Sequence, residues 1–135
     1  MKREWRHGDS RFDLLLSRSG SADIFDLEDI PDLAVEVKGV TLVKDSIALF
    51  PDAETIRGRK HLRELLMLKE KGCRAAVFFV AQRGDATSFS PNSANDPRFS
   101  VALSEAKEGG VEIYAFSSNV TLTEIWILRE IPVNL

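Results

Sequence analysis

A continuous apolar run, AAVFFVA at residues 75–81, restricts the fold of this chain more than any other stretch. Its length suits a β-strand, and the lack of alternation with polar residues is typical of a strand covered on both faces. A helical pattern precedes it at residues 56–71, where Leu62, Leu65 and Leu66 share the side expected to face the core. The run therefore predicts an α/β protein with a buried central strand.

The remaining pattern predicts a mixed sheet flanked by helices. A second helix is expected to begin with Asp96 as its N-cap and Pro97 as its first residue, and to end at Gly109-Gly110, after a polar loop at 88–96. The first three strands are expected to form a meander, giving the order βββαβαββ. The predicted strands cover residues 11–16, 33–38 with a continuation at 40–43, 47–50, 74–81, 111–116 and 124–129.

Length and composition exclude several classes of protein. A chain of 135 residues is expected to form one domain, residues 1–135. No apolar run approaches the roughly 18 residues needed to cross a bilayer, so no membrane partner is expected. Cys73 is the only cysteine, which excludes an intrachain disulfide and favours the cytoplasm. The net charge of −3 argues mildly against a dedicated nucleic-acid binder, although basic residues concentrate near the start of the first helix.

Charged residues interrupt two of the predicted strands. In the second strand, Glu36 and Lys38 lie on one sheet face, about 7 Å apart along the strand. In the first strand, Asp13 stands within an otherwise apolar segment. Pattern alone leaves two interpretations open. Glu36 and Lys38 either form the wet face of a half-exposed strand, or they meet Asp13 across neighbouring strands as a polar site.

The second interpretation predicts a divalent metal site. Two carboxylates on neighbouring strands, Asp13 and Glu36, suit Mg²⁺ or Mn²⁺, and the backbone carbonyl of Val37 offers a further oxygen ligand. Lys38 beside the metal is expected to stay cationic, to orient a water molecule and to offset phosphate charge. Such a site has the parts needed to hydrolyse a phosphodiester.

Basic and amide side chains supply candidate substrate contacts. Arg59, Lys60 and Arg63 follow the start of the first helix, where the helix dipole and side chains together favour phosphate, with a solvated helix face as the alternative. Gln82 and Arg83 leave the buried strand at its end, a common place for site residues. His61 is expected to be structural more often than catalytic.

Several motifs, in order along nearly the whole chain, resemble the sugar fermentation stimulation protein A family. They are GDSRFDLL at 8–15, VEVKGVTLV at 35–43, ALFPDA at 48–53, RGRKHLREL at 57–65, VAQRGD at 80–85, and FSP at 89–91 followed by Asp96-Pro97.

The resemblance implies an N-terminal OB-like domain joined to a nuclease-like domain of the PD-(D/E)xK class. Its motif corresponds to Asp13 as the aspartate and to Glu36 and Lys38 as the E-x-K pair. It implies a Mg²⁺-dependent DNase with DNA as its partner and Arg11 among the substrate-binding residues. The alternative is a non-catalytic DNA-binding regulator of sugar-metabolism genes. Because Asp13 lies so close to Met1, we expect the OB-like domain to be absent, and a homodimer to cover the sheet surface this exposes.

Overall fold

The computed structural model describes the backbone alone of residues 2–7 and 10–16, and both backbone and side chains of residues 31–135. Within these ranges the chain forms strands and two helices. They are β1 Lys2–His7, β2 Ser10–Leu16, β3 Leu33–Val40, β4 Leu42–Lys44, β5 Ile47–Phe50, α1 Ile56–Glu70, β6 Arg74–Ala81, β7 Ser88–Pro91, α2 Pro97–Glu108, β8 Glu112–Val120 and β9 Ile125–Ile131.

The larger sheet has six strands in the order β1-β2-β3-β6-β8-β9. The apolar run forms β6 at its centre, parallel to β3 on one side and to β8 on the other. The outer pairs β1–β2, β2–β3 and β8–β9 are antiparallel. The prediction of an α/β fold with a mixed sheet flanked by helices is therefore confirmed.

A second, three-stranded sheet differs from the predicted meander. The β4–β5 hairpin leaves the main sheet, and β7 joins it in parallel with β5, in the stretch 88–96 predicted to be loop. The sequence SFSP of β7 lacks β-branched residues, so propensity alone does not indicate a strand. Phe89 anchors it instead: its ring is fully buried and stacks on Phe79 with 4.2 Å between centroids. The prediction also lacked β1, whose sequence KREWRH shows no apolar alternation.

The helices begin and end where the sequence predicts. The side chain of Thr55 accepts a hydrogen bond from Gly58 N at the start of α1, and Asp96 accepts one from Phe99 N at the start of α2. Gly72, with φ of +97°, follows the C-terminus of α1 in the left-handed region that glycine favours. Among the residues that the structure describes, neither helix is long and apolar enough to span a membrane.

One face of β3 positions the candidate site. Ala34 and Val40 belong to the hydrophobic core together with Leu62 and Leu65 of α1. Glu36 alternates with Ala34 along the strand, so it points toward the same helix and is only 4% exposed. The interpretation of Glu36 as part of a wet strand face is therefore wrong.

Candidate functional site

A carboxylate, an ammonium group and an imidazole meet where β3 passes under α1. Oε1 of Glu36 lies 2.7 Å from Nζ of Lys38 and 2.7 Å from Nδ1 of His61. The two nitrogen atoms lie 2.8 Å from each other. Both side chains on β3 thus converge with one side chain from the first turns of α1. We call Glu36, Lys38 and His61 the Glu36 cluster.

The protonation of Glu36 decides how these three groups share hydrogens. Burial by itself raises the pKa of this carboxyl, but hydrogen bonds from His61 and Lys38 and the charge of Lys38 outweigh burial and hold the pKa below its ordinary value. An ionised carboxylate only accepts hydrogen bonds. The 2.7 Å contact of Nδ1 with Oε1 is therefore a hydrogen bond only with a proton on Nδ1 of His61; both nitrogens then donate to Oε1, and the 2.8 Å approach between them joins two donors and is not a hydrogen bond.

The other oxygen of Glu36 has a different environment. Oε2 is buried and accepts no hydrogen bond from the described residues. Leaving a buried acceptor unsatisfied costs about 1–3 kcal/mol, more when it is charged. A buried anionic oxygen without a hydrogen-bond donor is suited to bind a cation. Among residues 31–135, whose side chains are described, no group of three His, Cys, Asp or Glu side chains could hold a metal ion.

Asp13 immediately precedes Leu14, the first residue of β2 that pairs with β3. The antiparallel register pairs Leu14 with Val35 and Leu15 with Ala34, so Asp13 and Glu36 are the next residues of β2 and β3 beyond these pairs. The side chains of Asp13 and of Arg11 lie outside the described residues. Val37 directs its side chain to the opposite sheet face, where it is 42% exposed.

The basic residues of α1 do not gather at this site. Arg59 is only 7% exposed, and its Nη1 lies 3.1 Å and 3.2 Å from the two carboxylate oxygens of Asp96. At about 100° per residue, Arg59 and Arg63 lie some 160° or more around the helix from His61. Lys60 is exposed and nearer to the cluster, with Nζ 3.9 Å from Glu64 Oε1.

Gln82 and Arg83 follow β6, as predicted. A Cβ added to Gly39 would lie 3.0 Å from Nε2 of Gln82, which places this amide beside the residue after Lys38. Arg83 is held on the surface by Asp85, with Nε–Oδ1 and Nη2–Oδ2 distances of 3.0 Å and 2.6 Å, and by the carbonyl of Val43 at 3.3 Å. Because side chains alternate along β3, a Cβ on Gly39 would point to the same face as Val37, so the Gln82 amide lies on the face opposite to Glu36 and Lys38.

His61 is the residue that sequence reasoning undervalued. It shares helical spacing with Leu65 and Leu68, so it belongs to the stripe of α1 that packs on the sheet. A histidine buried in such a stripe requires a polar partner. Glu36 and Lys38 are the charged residues of the strand beneath. A helical projection of α1, combined with the alternation of β3, could therefore have predicted that His61 meets them.

The geometry defines an α/β domain in which a mixed sheet carries a buried carboxylate with lysine and histidine partners. The family model for the sugar fermentation stimulation protein RE domain matches residues 1–124, and the chain belongs to this family. The predicted family resemblance is therefore confirmed.

Curated relatives that carry the family name are similar to this chain over nearly its whole length. The sugar fermentation stimulation protein homolog of Desulforamulus reducens is 46% identical over 135 residues, which are 100% of this chain and 52% of the relative. The homolog of Moorella thermoacetica is 45% identical over 132 residues, 98% of this chain and 53% of the relative. The chain thus spans about half the length of these relatives.

A solved structure has the same fold. The structure of Pyrococcus furiosus SfsA in complex with Ca²⁺ matches with a TM-score of 0.84 and 33% sequence identity, covering 100% of this chain and 55% of that one.

Proposed function

We propose that this domain hydrolyses DNA phosphodiesters with a bound Mg²⁺ or Mn²⁺ ion, on a scaffold of the PD-(D/E)xK class. Asp13, Glu36 and the carbonyl of Val37 would hold the ion, and Lys38 would position the attacking water. The observation that carries the proposal is the buried, unpaired Oε2 of Glu36, whose other oxygen already accepts two hydrogen bonds.

The donor atoms fit a hard divalent cation. Carboxylate and carbonyl oxygens are the ligands that Mg²⁺ prefers, and Asp13 and Glu36 lie directly beyond the last paired residues of two neighbouring strands. The similar Pyrococcus furiosus protein was solved as a Ca²⁺ complex, which supports a site for such ions in this family. When bound, the ion supplies a water of lowered pKa and charge relief for the phosphate.

The protein side chains have separate roles in this proposal. His61 donates from Nδ1 to Oε1 and so fixes the rotation of the Glu36 carboxylate. Lys38 remains cationic beside that carboxylate, where its ammonium group orients a water molecule and reduces the repulsion between phosphate and site. Neither nitrogen has to act as a base.

The candidate substrate contacts lie on different surfaces of the domain. Gln82 lies beside Gly39, and Lys60 and Arg83 are exposed cations for backbone phosphates, with Arg11 as a further contact. Arg59 and Arg63 lie on the other side of α1. A DNA strand at Glu36 would reach them only by passing around the helix.

A plasmid nicking assay with Mg²⁺ and with EDTA tests the proposal. The wild type should nick DNA only with metal, and Glu36→Gln should lose at least about a hundredfold in rate. Glu112→Gln removes a carboxylate from the surface of β8 and should retain wild-type activity. Nicking by Glu36→Gln at the wild-type rate would remove the assignment.

A non-catalytic DNA-binding regulator of sugar-metabolism genes is the second candidate. The exposed cations Arg57, Lys60 and Arg63 on α1, which could contact backbone phosphates without a metal ion, favour it. A gel shift in EDTA, run beside the nicking assay, separates the two functions. Retention of DNA without metal, and without cleavage when Mg²⁺ is added, would establish the binder.

Self-association is proposed on a separate observation. Strand β9 forms one edge of the larger sheet, and its consecutive side chains Ile125, Trp126, Ile127 and Leu128 are all exposed. Unpaired edge strands with apolar side chains favour pairing with another chain. Light scattering on wild type and Ile127→Lys measures the state: a homodimer should become monomeric in the variant.

A further inference from the structure

A groove runs between α1 and α2 on the side of α1 that faces away from His61. Its volume is about 380 Å³, the size of a small-ligand site. Arg59 and Arg63 of α1 line it, with Arg98, Val101 and Glu105 of α2. The groove is therefore distinct from the Glu36 cluster, which lies beneath the opposite side of the same helix.

Arg59, the buried arginine of this groove, has N–H donors that form no hydrogen bond with the described residues. Only Nη1 of Arg59 takes part in its hydrogen bonds with the described residues, to Asp96 and at 3.4 Å to Glu54. Nε and Nη2 donate to none of the described residues, and Arg59 lines the groove. Asp96 thus holds the guanidinium in place while leaving part of its fork available.

Two of the three arginines in the groove have no ion-pair partner among the described residues. The Asp96 carboxylate is committed to Arg59 and to the backbone amides of Thr55 and Phe99, both at 2.9 Å. Arg63 and Arg98 are exposed and form no ion pair with the residues described at 31–135. Three guanidinium groups and one acid, Glu105, thus line the cavity together with Pro97, Val101 and Ala102, while Glu54, which is not a lining residue, pairs with Arg59.

We infer that this groove binds a phosphate group. Arginine presents a planar fork that matches phosphate oxygens, and one buried, ion-paired arginine with two exposed ones can surround such a group. The apolar side chain of Val101 suits the carbon part of a phosphate ester. The phosphate belongs either to a nucleic-acid backbone or to a small phosphate ester, and the site requires no metal, so it stands whether or not the Glu36 cluster cleaves DNA.

Titration with inorganic phosphate in EDTA, followed by backbone amide NMR, tests the inference. The wild type should show saturable shifts at the start of α2 and along the facing side of α1. The double variant Arg63→Ala/Arg98→Ala should bind about tenfold more weakly or worse, because two charge-assisted contacts are lost. The double variant Lys44→Ala/Lys107→Ala removes the same charge elsewhere and should bind like the wild type.

Two further titrations, with glucose 6-phosphate and with a short DNA duplex, identify the source of the phosphate. Either ligand supports the site if its binding is weakened by Arg63→Ala/Arg98→Ala and kept by the lysine control, and the tighter of the two names the source. Absence of saturable phosphate binding in the wild type, or equal binding in both double variants, would overturn the inference.

Discussion

Nδ1 of His61 lies 2.7 Å from Oε1 of Glu36, so helix α1 supplies a hydrogen-bond donor to a carboxylate on the sheet below it. This contact fixes which oxygen of Glu36 is engaged and which is left for a ligand. Helix packing and the candidate metal site are therefore coupled through a single imidazole. The coupling makes His61 a positioning residue, whose removal should affect metal affinity before it affects the fold.

Substitution of His61 tests this role directly. In His61→Ala, Glu36 loses an orienting donor, and Mn²⁺ affinity should fall about 10–100-fold, the usual cost of losing such a partner. In His61→Gln, the amide can donate to the same oxygen and should restore part of the affinity. Calorimetric titration with Mn²⁺ measures both variants. Equal affinity in wild type and His61→Ala would show that the imidazole does not orient the ligand.

The titration of Glu36 provides a second test. Its pKa lies below the ordinary value of 4.5 because His61 and Lys38 stabilise the ionised form against the effect of burial. A lowered folded-state pKa means that the carboxylate contributes stability above its unfolded-state pKa, and that this contribution is lost as the pH falls through the folded-state pKa. NMR titration of the Glu36 side-chain carbon should therefore give a midpoint below 4.5 in the wild type.

The same titration in His61→Ala should move the midpoint upward, because one of the two hydrogen-bond donors to Oε1 is gone. Glu112, whose pKa is lowered to about 2 by the hydrogen bond from Arg74, lies on the surface of β8 and provides an internal control. Its midpoint should not change in the variant. A Glu36 midpoint that stays constant as well would contradict the assigned network.

The buried pair of Arg59 and Asp96 should matter for stability. Asp96 is 1% exposed and joins the first turns of both helices through Arg59 and the backbone amide of Thr55. Asp96→Asn keeps a capping side chain but leaves the buried Arg59 charge with only the exposed Glu54 at 3.4 Å as a partner, so the free energy of unfolding should fall by about 3 kcal/mol. Urea denaturation measures the change.

Asp85→Asn is the matched control for that experiment. It also breaks an arginine–carboxylate pair, with Arg83, but both side chains are about half exposed. Surface pairs of this kind contribute little, so stability should change by less than about 1 kcal/mol. A comparable loss of unfolding free energy in the two variants would show that burial does not make the pair of Arg59 and Asp96 more important for stability than a surface pair.

The predictions from sequence succeeded where short-range chemistry determines the structure. Asp96 and Pro97 at the start of α2, and Gly72 after α1, have local roles that the residue types themselves specify. Strand β7 depends on a long-range contact, the stacking of Phe89 on Phe79, and no local pattern contains it. The helix boundaries, which depend on local residue types, were therefore predicted, whereas the second sheet, which depends on long-range contacts, was not.

In the candidate site, too, local pattern was predictable and long-range packing was not. Strand alternation placed Glu36 and Lys38 on one face, and the structure joins them at 2.7 Å. The contribution of His61 and the burial of Arg59 against Asp96 depend on how α1 is rotated about its axis, which is set by packing on the sheet and on α2. Charge clusters in a sequence therefore predicted a basic helix, but not that its cations face two different sides.

Lys38 offers the sharpest separation between metal binding and catalysis. Its ammonium group lies 2.7 Å from Oε1 of Glu36 and would repel a divalent cation held by the same carboxylate. In Lys38→Met, the affinity for Mn²⁺ should therefore rise, while the rate of plasmid nicking should fall by about a hundredfold because the water is no longer oriented. Calorimetry and the nicking assay, run on the same preparation, measure the two effects.

Lys107→Met removes an exposed ammonium group from the last turn of α2 and is the control for charge alone. It should change neither the Mn²⁺ affinity nor the nicking rate. A parallel loss of affinity and rate in Lys38→Met would mean that the lysine mainly maintains the shape of the Glu36 cluster. Opposite changes can arise only if Lys38 competes with the cation for Glu36 and still takes part in the reaction, because a purely structural role would lower both.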